Sequence, residues 1–289
     1  MKKMLLPAVA AGLCVLVSCK EKGPAIDFSD VKAVDTTYTA PVEAAQQRRV
    51  LLEEFTGVTC PNCPQAHALI RNIQSQYPDR VIAVGYYPTG VPQAKPVEHL
   101  TIQDFRSEKS ADIGNNLLGG IPFLPSGTID RIPDNGAYLY QSNKWAAAAD
   151  TRAGTATPVN LYLTSTYDAD EATTTVVVKT AFTQSVAKKL SLTLLVIEND
   201  IIDAQENGLV VDTFYTHAHV MRDIITPNSG TPVLDDHATK EAGLVYERSF
   251  TFPAGSAWKP ENCYVVAFIS VNEPSDKEVL QAVEEKLAP

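Results

Sequence analysis

Cys60-Pro61-Asn62-Cys63-Pro64 restricts the fold more than any other segment, because of what flanks it. Before it, Val50-Leu51-Leu52-Glu53-Glu54-Phe55 reads as a buried strand and Thr56-Gly57-Val58-Thr59 as a turn. After it, Ala66, Leu69, Ile70, Ile73 and Tyr77 recur at helical spacing. Pro61 suits the first helical turn, where a missing N–H costs nothing. The helix closes at Tyr77-Pro78-Asp79, and residues 81–87 read as a second buried strand. The order is strand, cysteine pair, helix, strand.

A cysteine at a helix N-terminus faces unsatisfied N–H groups and the positive end of the macrodipole, and both favour its thiolate. An exposed Cys60 then acts as the attacking thiolate, and Cys63, one turn in, resolves the mixed disulfide. As a staple the pair is poor, since so short a loop contributes only about 2 kcal/mol in the chain-entropy treatment. Redox chemistry is the better reading. Two others fit the spacing: an inert disulfide that pins the helix, and a metal half-site of Cys60, Cys63 and His67, which lacks a second cysteine pair. Neither a metal nor a cofactor is expected.

Composition narrows the class. With 45% hydrophobic and 20% charged residues the chain can bury a core, and 289 residues suit two domains. A formal charge of −10 argues against nucleic acid as a partner, because such a binder needs a basic face. Five cysteines are too few for a disulfide scaffold, and no run of about 20 apolar residues predicts a spanning helix.

The first residues carry an address. Lys2 and Lys3 precede a short apolar run ending in Leu16-Val17-Ser18-Cys19, which resembles a bacterial lipobox after a signal peptide over 1–18. The resemblance implies cleavage before Cys19 and acylation of that residue, which makes the membrane a partner. Residues 19–47 read as the lipidated N-terminus and a tether, with an edge strand in 35–41 as the alternative.

Leu52-Glu53-Glu54-Phe55 leading into Cys60-Pro61-Asn62-Cys63 resembles a thioredoxin-fold active site. The resemblance implies a buried acid six positions before the first cysteine, a role that falls to Glu54, which moves a proton to and from the inner cysteine. A solvent-facing strand glutamate is the alternative. The fold also implies a cis-proline beside the cysteines, at the start of a strand. Pro122 and Pro125 are candidates, and Pro125, followed by Ser126 and a short strand, matches better. Thr59 stands where the family has tryptophan, and Pro-Asn replaces its usual intervening pair. Residues 97–118 read as one or two helices and 145–152 as an alanine-rich closing helix, so the thioredoxin-like α/β domain covers 48–154.

From Pro158 the pattern changes to runs rich in Thr, Val, Leu and Tyr at 159–167, 173–182, 190–197, 214–222, 244–252 and 263–271. Turn-forming residues separate them, which predicts an all-β antiparallel sandwich over 155–289. Ser275 and Glu278 form a capping box that opens a C-terminal helix with Val279, Leu280, Val283 and Leu287 on one stripe. Cys263 reads as a buried free thiol. His217 and His219, two apart on a predicted strand, share a face with Tyr215 and Met221.

The lipobox, the cysteine run, Tyr215-Thr216-His217-Ala218-His219-Val220-Met221-Arg222 and Glu278-Val279-Leu280-Gln281-Ala282 together resemble the outer-membrane-protein-28-related lipoproteins of Bacteroidetes. The resemblance implies an outer-membrane lipoprotein. Joined to the cysteine pair, it implies thiol–disulfide exchange with thiol- or disulfide-bearing envelope proteins. The alternative is a non-catalytic surface or binding lipoprotein in which the pair is a structural disulfide.

Overall fold

The computed structural model describes residues 33–288, so the signal peptide, the acylation of Cys19 and the start of the tether lie outside the described residues. The apolar run before the cysteines forms β2 (Val50–Phe55), buried along its whole length. It pairs in parallel with β3 (Val81–Tyr86) and antiparallel with β4 (Ser126–Ile129). Helix α1 (Cys63–Gln76) connects β2 to β3 and buries Ala66, Ile70 and Ile73 against them. Helix α3 (Trp145–Ala153) packs beside it, its Trp145 fully buried.

Strands from both sides of residue 154 share one sheet. Beyond β3 it continues through β10 (Val220–Ile224), β7 (Leu190–Glu198), β13 (Cys263–Val271) and β14 (Val279–Lys286), and β11 (Thr231–Val233) pairs with β7. The join is a short parallel contact of Val220 with Gly85, reinforced by the Gly85 N–H donating to His219 O at 2.7 Å. A second, antiparallel sheet has the order β1 (Val34–Thr39), β12 (Leu244–Pro253), β6 (Thr173–Phe182), β5 (Val159–Asp168). The two sheets enclose a core in which Leu161, Val178 and Phe250 meet Leu194, Val196 and Val265. The intervening Leu195, Ile197, Val266 and Phe268 turn to the opposite face and pack with Leu51, Phe55 and Val84. Strands β7 and β13 are therefore apolar on both faces, as strands covered on two sides must be.

Four expectations change. The C-terminal helix is strand β14, antiparallel to β13. Its helix-forming residues yield to tertiary pairing: Val279 and Ala282 enter one core and Leu280 and Val283 the other. Residues 97–118 contain only a short helix α2 (Glu108–Asp112) and a π-turn over Ile113–Leu117. Pro61 precedes helix α1, and Pro64 occupies its first turn instead. Within the tether, residues 34–39 form an edge strand.

Asp130 ties these parts together. Its backbone N–H and Oδ1 bond Leu51 of β2, and its carbonyl accepts from Val279 of β14, all within 2.9 Å. Its Oδ2 lies 2.8 Å from Arg152 Nε and 3.5 Å from Arg48 Nη1. Arg152 also bonds Glu278 at 2.7 Å, and Arg48 donates to the Val279 carbonyl at 2.9 Å. Burial pushes the Asp130 carboxyl up to about 6 despite the two arginines that favour its charge. Removing one partner from such a cluster leaves buried charge uncompensated. Asp130→Ala is expected to cost about 3–5 kcal/mol, read as a lower urea midpoint with unchanged slope.

Candidate functional site

Cys63 is the first residue of α1, behind Asn62 at the cap position, and Cys60 stands in the turn that feeds it. The Cys63 N–H donates to Cys60 O at 3.1 Å, and the Cys60 N–H to Gly57 O at 3.3 Å. The two sulfurs form a disulfide, so the half-site of Cys60, Cys63 and His67 is not assembled. Gly57 is required: a Cβ there would lie 2.2 Å from the Gln93 carbonyl, which accepts the Thr59 N–H at 3.0 Å. Leu124–Pro125 is a cis peptide at the head of β4, whose Ser126 pairs with Phe55 at the end of β2. Pro125, Leu124 and Phe123 line a cavity of about 320 Å³ together with Asn62 and Gln65. The structure thus makes Pro125 the cis-proline and sets it in one cavity with Asn62 of the cysteine loop.

The covering of the pair was not foreseen. Cys60 is 2% exposed and Cys63 fully buried, against the expectation of an exposed Cys60. The cover is a two-stranded hairpin from the second half, β8 (Ile201–Asn207) and β9 (Val210–His217). Gln205 Nε2 donates to the carbonyls of Gly57 at 3.1 Å and Cys60 at 3.3 Å. The backbone N–H groups of Glu206 and Gly208 donate to Val58 O and Pro61 O, each at 2.9 Å. The hairpin is laid along the cysteine loop and satisfies its carbonyls.

Two adjacent glutamates have opposite surroundings, because successive strand residues face opposite ways. Glu53 is fully buried and clamped by Arg131, at 2.7 and 2.8 Å, with the Tyr86 hydroxyl donating at 3.0 Å. Glu54 is also buried, but its Oε1 has no partner and its Oε2 lies 3.5 Å from His67 Nε2. Loss of solvent holds the Glu54 carboxyl well above its ordinary 4.5, with Thr56 pulling weakly the other way. Burial, then the nearby His217 and Arg71, push His67 down to about 3. Burial thus disfavours charge on both partners of the contact. His67, which Glu54 contacts, stands four residues after Cys63 on the same face of α1.

His67 Nε2 also lies 2.9 Å from Thr56 Oγ1, and its Nδ1 lies 2.7 Å from the Tyr215 hydroxyl on β9. The predicted strand over 214–222 is broken. It ends at His217, and His219 takes a left-handed φ of 58° before β10 begins. His217 and His219 consequently do not share a strand face. His217 is buried among Tyr87, Phe105 and Tyr215, whereas His219 lines a small cavity with Glu54 and His67. Burial pushes both histidines down to about 4. Cys263 is buried and free, and burial raises its thiol to about 12. Nothing in the local pattern marks Gln205 or Arg131, and Tyr215 is marked only as a strand neighbour of His217. His67 carries a signal of its own, its spacing from Cys63.

A buried carboxyl with a raised pKa gives a definite pH signature. Its contribution to stability is fully present below the ordinary 4.5 and is lost as pH rises from there through the raised folded value. Glu54→Gln removes that loss. Its thermal midpoint should match the wild type near pH 4.5 and exceed it increasingly toward neutral pH, as followed by circular dichroism.

The profile of the family described as Outer membrane protein Omp28 matches residues 120–289. No curated protein matches the sequence. Among solved structures, HBP35 of Porphyromonas gingivalis superposes with a TM-score of 0.62 at 18% identity, covering 85% of this chain and 77% of that one. A protein of Agrobacterium tumefaciens superposes with a TM-score of 0.52 at 13% identity, over 84% of this chain and 96% of that one. At such identities the structural likeness shows the fold alone, whereas the profile match spans more than half of the residues. The chain belongs to the outer membrane protein Omp28 family.

Proposed function

We propose that this chain is an outer-membrane lipoprotein, anchored through Cys19, whose thioredoxin-like part over 48–154 carries out thiol–disulfide exchange on envelope proteins. The observation that carries this reading is Glu54. A buried carboxyl with one oxygen lacking any partner costs stability, and a disulfide that only staples needs no such acid against His67, one helical turn from Cys63. In the reducing direction the Cys60 thiolate attacks a client disulfide and releases one client thiolate. Cys63 then gives its proton to the Glu54 carboxylate, and its sulfur displaces the second client thiolate from Cys60. The client gains two electrons and the Cys60–Cys63 pair loses them. In the oxidising direction the protonated Glu54 returns its proton to the Cys63 sulfur as the pair opens. Pro125 and the backbone of Leu124 border the groove along which an extended client strand lies.

One observation favours a second reading. Cys60 is covered by the β8–β9 hairpin, as suits a structural disulfide in a non-catalytic binding lipoprotein. Equilibration of the folded protein with dithiol buffers separates the two. Exchange predicts a potential above about −300 mV, insulin turnover, and faster alkylation of Cys60 than Cys63 in the reduced protein. A lower potential with no turnover establishes the second reading.

Anchoring is tested separately. The family description and the lipobox residues support it. Cys19→Ala should transfer the protein from the membrane to the soluble fraction, with loss of acyl mass from the N-terminus. Unchanged fractionation removes the anchor.

A further inference from the structure

Resting on the exchange reading above, we propose that the second half of the chain supplies an outlet for the Glu54 proton, with His67 and Tyr215 forming a relay from the buried carboxyl to the surface. Their polar contacts run to Thr56, Glu54 and each other, so both act through Glu54 as positioning residues for exchange. Glu54 is 3% exposed and the cavity it lines is only about 20 Å³, so the groups it touches offer the ordered route by which a proton received there leaves. Its Oε2 lies 3.5 Å from His67 Nε2, and His67 Nδ1 lies 2.7 Å from the Tyr215 hydroxyl. Tyr215 is half-buried on β9 between the exposed Phe214 and Thr216, which makes it the last member before solvent.

The neutral imidazole is the form a relay requires, because one ring nitrogen donates while the other accepts. The Glu54 O–H passes its proton to Nε2, the Nδ1–H passes to the Tyr215 oxygen, and the Tyr215 O–H proton leaves to water. Glu54 ends ionised, Tyr215 neutral and His67 in its other tautomer. The opposite half-reaction draws a proton inward along the same atoms and resets the ring. Thr56 Oγ1, 2.9 Å from Nε2, holds the ring at rest, and its O–H turns to the Glu54 carboxyl, its other partner, when Nε2 takes the proton. A cavity of about 20 Å³ between Glu54, His67, Arg71, Tyr215 and His219 gives the carboxyl and ring room to close their gap.

The groups facing the ring keep it uncharged. They are Arg71 from α1, His217 from β9 and His219 from the β9–β10 connection, all of which oppose a positive charge on His67. Glu54 from β2 is the acid among them. Arg71 and Asp212 act on Tyr215 in opposite senses.

The test is stopped-flow reduction by dithiothreitol, and reoxidation by oxidised glutathione, of the full folded chain across the neutral pH range. Wild type, Glu54→Gln, His67→Gln and Tyr215→Phe are compared, with circular dichroism confirming each fold. A working relay predicts that His67→Gln and Tyr215→Phe slow exchange by about 10-fold and lose the same pH inflection that Glu54→Gln loses. A merely loosened hairpin would act the other way, speeding exchange at every pH. If His67→Gln does not fold, Tyr215→Phe, which removes one oxygen, decides alone. Slow Glu54→Gln beside unchanged or faster Tyr215→Phe overturns the relay and leaves the exchange reading standing. Unaffected Glu54→Gln also overturns it. A wild-type pair that dithiothreitol cannot reduce overturns the exchange reading, and the relay with it.

Discussion

The architecture depends on one buried carboxylate. Asp130 has no water to solvate it, so its charge is tolerable only where Arg48 and Arg152 converge and the Leu51 N–H points at it. Meeting that demand fixes the end of β4 against β2, the last turn of α3, and the start of β14. Since β14 is the far edge of the long sheet, one side chain helps set how its two ends curl toward each other. Asp130 and Arg131 both adopt left-handed φ, 48° and 51°, a conformation that non-glycine residues hold only when their surroundings demand it.

The site inherits its asymmetry from the same strand. Glu53 and Glu54 are neighbours with identical chemistry, yet the bidentate clamp of Arg131 neutralises one while the other meets only an imidazole and a hydroxyl. The pleat alone separates them. A group that must gain and lose a proton cannot sit in a strong ion pair, which would hold it in one state. Glu53 is thereby fixed in an ion pair, and Glu54 is not.

How much of this the sequence discloses follows from the range of the interactions involved. Helix α1, strands β2 and β3 and the cis-proline at 125 rest on local pattern and on a resemblance whose residues lie close together. Strands β5, β6, β7, β12 and β13 also announce themselves, β7 and β13 as continuous apolar runs and β5, β6 and β12 as β-branched runs that alternate between core and surface over much of their length. Strand β14 does not: Val-Leu-Gln-Ala-Val-Glu-Glu-Lys favours a helix, and only pairing with β13, with Gln281 bonded to the Arg49 N–H at 2.7 Å, makes it a strand. Strand β8 is short and polar, and its role depends on carbonyls more than 140 positions away. His219 looked like an alternating strand residue because a single left-handed φ leaves no mark in composition.

The shared sheet has a consequence for how the chain lives before it is complete. During synthesis β2, β3 and β4 emerge first, and the edge of β3 waits for a strand that begins at Val220. Until then that edge has open backbone groups, and the Leu51, Phe55 and Val84 face lacks the Leu195, Ile197 and Phe268 that cover it. An open edge beside an apolar face is a template for pairing with another chain. The late strands thus double as the N-terminal half's protection against such pairing.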